Sequence, residues 1–186
     1  LADLGYFSED ELEKYCEPEG ILKLHSDSSI PGCYFVGGSL GNGIGYAAGI
    51  AFGDRNKKVY VILGDAELYE GSVWETLIFI AHHNLQNLTL IIDRNKYGIL
   101  GSTEETLKLE SLKDKFDAFG FSTIEINGHD FDDLRAALTY NNVKPVAILA
   151  KTVKGKGVSY MEDKYEFHTI IPKDELEIKK GIEELS

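Results

Sequence analysis

Val59-Tyr60-Val61-Ile62-Leu63-Gly64-Asp65-Ala66 and Leu88-Thr89-Leu90-Ile91-Ile92-Asp93-Arg94-Asn95 are built alike. Each opens with five apolar or β-branched residues that do not alternate with polar ones, and each ends in small, turn-forming or charged residues. Such a run is the mark of a strand buried on both faces. Between the two, residues 67–83 read as a helix. Two further runs follow, at 121–126 and at Val146-Ala147-Ile148-Leu149-Ala150, with an amphipathic helix over 131–140 separating them. Buried strands alternating with helices predict an α/β fold, doubly wound, with a mainly parallel sheet and helices on both faces.

The flanks are less regular. Ser8 caps a short predicted helix over 9–15, with Glu11 as the reciprocal cap. Residues 17–45 form a long glycine-bearing loop, of the kind that is usually functional or disordered. Small and apolar residues at 43–52 predict a buried helix closed by Gly53. Residues 173–185 predict a charged surface helix. Leu1 falls in what reads as a helix already under way, so residues are expected upstream of it.

At 186 residues the chain fits one domain, 1–186, with enough length to bury a core. Its 43% hydrophobic and 27% charged residues are those of a globular protein. A formal charge of −12 disfavours nucleic acid and anionic membranes as partners. No apolar run reaches the roughly 18–20 residues of a membrane span, and the first residues show no basic segment followed by an apolar one, so no signal peptide is expected there. Cys16 and Cys33 are read as reduced thiols, which predicts a cytoplasmic protein.

In doubly wound sheets, ligands sit beyond the carboxyl ends of the strands. Asp65 and Asn95 both follow strands and stand 95 − 65 = 30 residues apart, the length of one helix and one strand. A carboxylate, an amide oxygen and a main-chain carbonyl suit a hard ion such as Mg2+ or Ca2+, not zinc. With one formal charge from these side chains, the site wants a phosphate to complete it. On spacing alone, Asp or Asn after a strand serves equally as a helix cap or turn residue.

The order of motifs adds a resemblance. Gly64-Asp65, with Asn95 later inside Asp93-x-Asn95, resembles the thiamine diphosphate signature. Gly37-Gly38-Ser39-Leu40-Gly41-Asn42-Gly43, Leu63-Gly64-Asp65-Ala66-Glu67-Leu68-Tyr69-Glu70-Gly71-Ser72-Val73-Trp74-Glu75 and Lys151-Thr152-Val153-Lys154-Gly155-Lys156-Gly157-Val158-Ser159 together resemble the diphosphate-binding domain of transketolase. The likeness runs from Leu1 to about Glu184. It implies that Asp65, Asn95 and the Tyr97 carbonyl hold the metal. Gly64, Ala66, Glu67 and the Gly38-Ser39-Leu40 segment match the cofactor loops. Asp93 and Glu70 match acidic residues beside the cofactor and at a subunit contact, and Ile99 one packed near the rings. His25 and His168 match histidines at the substrate and at the reacting carbon, whereas His82 and His83 read as structural.

The same likeness implies thiamine diphosphate with Mg2+ (or Ca2+), and ketol transfer from a ketose or its phosphate to an aldose. It also implies a partner chain carrying the pyrimidine-binding and C-terminal domains, in a dimer or heterotetramer, since this chain contains neither. Two positions depart from the family pattern. Ala66 stands where glycine is usual, at a strain of about 1 kcal/mol if its φ is positive. Leu24-His25-Ser26 replaces Gly-His-Pro, which bears on the sugar. Three rival readings stand beside this one. Gly43-Ile44-Gly45-Tyr46-Ala47-Ala48 fits G-x-G-x-x-A after a strand at 33–36, as in nicotinamide-binding folds. A 2-oxo acid dehydrogenase or deoxyxylulose phosphate synthase shares the cofactor motifs. A degenerate scaffold protein would keep the fold without the chemistry.

Overall fold

A computed structural model of the chain describes residues 1–35, 37–172 and 174–186. Four parallel strands form the sheet in the order β1 (Val59–Gly64), β2 (Leu88–Arg94), β6 (Val146–Lys151), β5 (Ser122–Asn127). A two-stranded antiparallel ribbon, β3 (Tyr97–Gly98) and β4 (Gly101–Ser102), follows β2. The helices are α1 (Asn42–Gly53), α2 (Gly71–His82), a single turn α3 (Thr103–Thr106), α4 (Leu112–Ala118), α5 (Phe131–Thr139) and α6 (Glu175–Leu185). None of the described helices is long and apolar enough to cross a membrane.

Alternation along β2 decides the layering. Leu88, Leu90 and Ile92 point to one face, where they join Val61, Leu63, Ala147 and Leu149. That face is covered by α1, α2 and α4 through Ile44, Ala48, Val73, Leu77, Ile80 and Phe116. The alanines of α1 bring its axis close to the sheet. Val73, Leu77 and Ile80 recur at helical spacing, so α2 buries one stripe. Among the described residues, the helix that packs on the opposite face is α5, with Ala137 against Val146 and Ile148. Asn87 closes the amino end by donating from its side-chain amide to the carbonyls of Ala51, Asp54 and Lys57 at 2.9, 3.1 and 2.9 Å.

Several expectations change. β6 is buried along Val146–Ala150 as its sequence predicts, but β1 is not buried on both faces: Ile62 is 70% exposed. β1 is an edge strand, and α5 lies beneath β5 and β6 rather than under it. The helix expected at 67–83 is broken. Residues Asp65–Tyr69 make a 3-10 turn, and α2 starts only at Gly71. The predicted helix at 9–15 is a 3-10 turn, Glu9–Lys14. Ser8 caps it, but Glu11 turns away to Lys14 and to the Ile21 N–H. The Gly43–Ala48 motif lies inside α1, and residues 33–35 form no strand, so the nicotinamide reading fails (Val36 lies outside the described residues). The last helix begins at Glu175; Lys173, the expected start, is also outside them. His83 packs tilted against Phe52 and edge-on against Phe79, with ring centroids 4.7 and 4.5 Å apart, a packing role.

The C-terminal helix is latched by one carboxylate. Gly181 lets α6 approach Tyr160, whose hydroxyl would lie 2.9 Å from a Cβ there. Glu184 accepts from the Ser159 N–H and from its hydroxyl, both at 2.6 Å. Those bonds hold the Glu184 carboxyl below its ordinary range. A depressed carboxyl stabilises the fold above the unfolded value of 4.5 and loses that contribution as pH falls through its folded value. Protection of the amides of α6 and residues 157–160, taken relative to their intrinsic exchange rates, is therefore expected to fall on acidification below 4.5 before that of the sheet. Glu184→Gln should remove most of this acid dependence; exchange unchanged by the substitution at every pH would show that Glu184 is not the latch.

Candidate active site

Parallel pairing aligns the carboxyl ends. Gly64 sits opposite Asp93, and Arg94 opposite Lys151. The ladder runs on past the strands, with the Thr152 N–H donating to the Arg94 carbonyl at 3.3 Å and the Gly128 N–H to that of Lys151 at 2.8 Å. Residues that leave β1, β2 and β6 are thereby gathered along one edge, as the topology requires.

Asp65, the first residue past β1, is 1% exposed. Its Oδ2 accepts from Arg94 Nη1 at 2.8 Å and from the Lys96 N–H at 2.6 Å. Its Oδ1 is equally buried and has no hydrogen-bond partner. Burial raises the carboxyl above the ordinary aspartate range, against the pull of Arg94 and the Lys96 amide. A buried carboxylate oxygen without a donor is costly unless something else meets it. A cation is the ligand that would do so.

Asn95 and Tyr97 lie in the turn after β2. Lys96 takes a φ of 71° there, which turns its N–H onto Asp65. Asn95 Nδ2 donates to Asp93 Oδ2 at 3.2 Å, and its Oδ1 accepts from the Tyr97 N–H at 3.0 Å. Thr152 donates its hydroxyl to the other oxygen of Asp93, joining β2 to the loop after β6. Among the described residues no group of three or more His, Cys, Asp or Glu could hold a metal. Asp65, Asn95 and Tyr97 offer a carboxylate, an amide oxygen and a main-chain carbonyl, donors of the kind a hard cation takes.

A second cluster forms around the 37–41 loop. Glu67 Oε1 accepts from the Gly41 N–H at 2.7 Å, and Ser72 donates to the Gly41 carbonyl at 3.3 Å. Gly41 has a φ of 79°, and a Cβ there would meet Ser72 Oγ at 2.5 Å and Glu70 Cβ at 2.8 Å. Only glycine fits. The His25 ring packs on Gly38, 2.9 Å from where a Cβ would stand. His25, Gly38, Gly41, Glu67 and Glu70 are thus one assembly, with Ser39 and Leu40 exposed on its rim. Gly64 precedes Asp65 in extended backbone, and Ile99 is exposed at the tip of the β3–β4 ribbon. His168 is exposed and ends the 3-10 turn Tyr165–His168, which packs against that ribbon.

Ala66 is the informative departure. The residues other than glycine with positive φ are Cys16, Asn84, Lys96 and Asp163, so the anticipated strain at Ala66 does not arise. Its methyl group has a made place: a Cβ built on Gly98 would stand 3.1 Å from the Ala66 Cβ. A side chain at position 98 would crowd that methyl group. The expectation of a helix N-terminus at 64–67 is likewise corrected, since the residues there form a 3-10 turn.

Arg94, Lys96, Thr103, Glu104 and Glu110 are site neighbours that the sequence reading passed over. Arg94 carried a signal, because an arginine closing a buried strand must find partners. The positive φ of Lys96 carried none.

The family model described as "Transketolase, thiamine diphosphate binding domain" matches residues 7–183. One of the subunits of the apulose-4-phosphate transketolase of Phocaeicola vulgatus is 35% identical over 98% of this chain and 67% of its own length. A 6-deoxy-6-sulfo-D-fructose transketolase subunit from a Clostridium species is 36% identical over 91% of this chain and 65% of its own. The solved transketolase of Campylobacter jejuni superposes with a TM-score of 0.87 at 30% identity, over 94% of this chain and 29% of that one. The chain therefore spans about two-thirds of the split subunits it matches and under a third of the one-chain enzyme.

One prediction concerns Ala66. Gly98→Ala should destabilise by about 1–3 kcal/mol through overpacking. Ala66→Gly in the same chain should recover most of that loss, so thermal melts of the four-member cycle should show coupling above ~0.5 kcal/mol; strict additivity would contradict it.

With the match over residues 7–183 and the superposition in hand, the chain belongs to the transketolase family, as its thiamine diphosphate-binding domain.

Proposed function

We propose that this chain is the diphosphate- and metal-binding subunit of a split transketolase, a transferase that moves a two-carbon ketol unit from a ketose or ketose phosphate to an aldose. The observation that carries the reading is the buried Asp65 Oδ1 without a hydrogen-bond partner, on a carboxylate that the Lys96 amide ties to the turn carrying Asn95, in a domain of this family. Asp65, Asn95 and the Tyr97 carbonyl would hold Mg2+ or Ca2+, and the diphosphate supplies the negative charge the site lacks. The N–H groups around Gly64 and Ala66 and the Gly38-Ser39-Leu40 segment would hold the cofactor, with Glu67 fixing that segment through Gly41. Asp93 would orient Asn95, and Ile99 would pack near the rings.

Thiamine diphosphate, when bound, supplies the carbon nucleophile and the electron sink for cleavage beside a carbonyl. The residues of this chain orient it, exclude water and move protons. His25 and His168 would act at the carbonyl and hydroxyl oxygens of the sugar. Leu24 and Ser26 beside His25 would then tune which sugar is taken.

The partner would be a chain carrying the pyrimidine-binding and C-terminal domains. Exposed apolar side chains near the site support that contact: Leu24, Tyr34, Leu40, Ile99 and Leu100, the last 80% exposed. Tyr46 and Ile50, exposed on α1, with Glu70 packed against Gly41 at the start of that helix, support a second contact between subunits in a dimer or heterotetramer. The free thiols of Cys16 and Cys33 accord with a cytoplasmic setting.

The test is a calorimetric titration of thiamine diphosphate with Mg2+ into the complex purified through this chain. Saturable, metal-dependent binding is expected, weakened at least ~100-fold in Asp65→Ala, where a cation loses its one charged ligand. Turnover of a ketose with an aldose, and none of a 2-oxo acid, distinguishes the transketolase from its thiamine-dependent rivals. Absence of binding in an assembled complex would mark the chain as a scaffold.

A further inference from the structure

Arg94 closes β2 between Asp93 and Asn95 and is 3% exposed. Alternation puts its side chain on the same face as Leu88, Leu90 and Ile92, inside the three-helix layer. There all five guanidinium N–H groups are used. Nη1 donates to Asp65 Oδ2 and to Thr103 Oγ1, each at 2.8 Å. Nε and Nη2 donate to Glu110 Oε1 at 3.1 and 2.9 Å, and Nη2 also to Glu104 Oε1 at 2.9 Å. The acceptors are held in turn. Glu104 Oε1 takes the Leu109 N–H, Glu110 Oε2 takes the Leu112 N–H, and the Thr103 N–H donates to the Lys96 carbonyl.

Two consequences follow for Asp65. Its carboxylate cannot rotate, because Oδ2 is fixed from two directions, by Arg94 and by the Lys96 amide. One oxygen alone, Oδ1, is left to a ligand. A guanidinium this close would ordinarily repel a divalent cation. Here it faces three carboxylates, Asp65, Glu104 and Glu110, which leaves 3 − 1 = 2 negative charges in the cluster. The cluster therefore does not repel a divalent cation, and the diphosphate supplies the remaining negative charge.

We infer that Arg94 is the positioning residue of the metal site. With Glu104 and Glu110 as its counter-charges, it holds Asp65 so that one oxygen is offered to a divalent cation. The inference rests on the metal reading proposed above, and nothing in it requires Arg94 to touch cofactor or substrate. Lysine keeps the charge but has no planar fork, so it cannot reach Asp65, Thr103 and both glutamates together.

The probe is Mn2+, counted by electron paramagnetic resonance in the complete complex with thiamine diphosphate and without turnover. Arg94→Lys should weaken Mn2+ binding about 10–100-fold, the range for residues that orient a metal ligand. Glu110→Gln keeps an acceptor for the guanidinium but removes a charge, and should weaken Mn2+ binding severalfold, more at low ionic strength than at high. If Arg94 served the fold alone, Arg94→Lys would lower the melting temperature while each assembled complex bound Mn2+ as the wild type does; that result overturns the inference. Should the Arg94→Lys complex not assemble, Glu110→Gln decides, and wild-type affinity in it overturns the inference. A wild-type complex that binds no Mn2+ fails earlier, and removes the metal reading together with this one.

Discussion

The carboxyl edge of this sheet is organised by one ion pair. Asp65 and Arg94 are both almost fully removed from water and meet at 2.8 Å across the ends of β1 and β2. Such a pair does not by itself guarantee stability, since each charge was taken out of water to make it. Its weight lies in what happens when one partner is absent, for then a buried charge is left alone at about 3–5 kcal/mol. The surrounding segments are consequently committed to it. The Lys96 turn, the α3 turn at Thr103 and the start of α4 at Leu112 all hydrogen-bond to one member of the pair or to a group that does. Burial and hydrogen bonding oppose each other at Asp65, and burial prevails.

Steric fit sets a second constraint beside the charges. The Glu67–Gly41 and His25–Gly38 contacts press two distant segments together at positions where any Cβ would collide. Ala66 and Gly98 show the same economy in reverse. The Ala66 methyl group on the 3-10 turn faces Gly98 on the β3–β4 ribbon, where the absence of a side chain leaves room for it.

Exposed apolar side chains are spread over the domain, and some come from the loops that carry candidate site residues: Leu24, Leu40, Ile99 and Leu100. They accompany polar groups at a site that can take a ligand. Elsewhere the open surface of β1 at Tyr60 and Ile62 has no such chemistry around it. It exists because α5 underlies β5 and β6, and β1 stands at the edge.

Much of this molecule could be read from the order of its residues. The runs at 59–63, 88–92 and 146–150 encode strands because burial between layers selects apolar, β-branched residues without alternation. Asp65 and Asn95 could be singled out because strand ends in parallel sheets collect on one edge. The hidden part depends on which segments become neighbours. The sheet order β1-β2-β6-β5 left Ile62 in solvent although its run matches that of β6. Glu70 and Gly71 broke a continuous helical pattern because the 3-10 turn before them must carry Asp65 inward and Glu67 onto Gly41. Arg94 could be seen as an arginine at a strand end, but its acceptors on Asp65, Thr103, Glu104 and Glu110 come from segments that converge only on folding. Sequence fixes which side chains can act, through local periodicity and residue chemistry. Tertiary structure alone decides which of their atoms are satisfied and which, like Asp65 Oδ1, are left open.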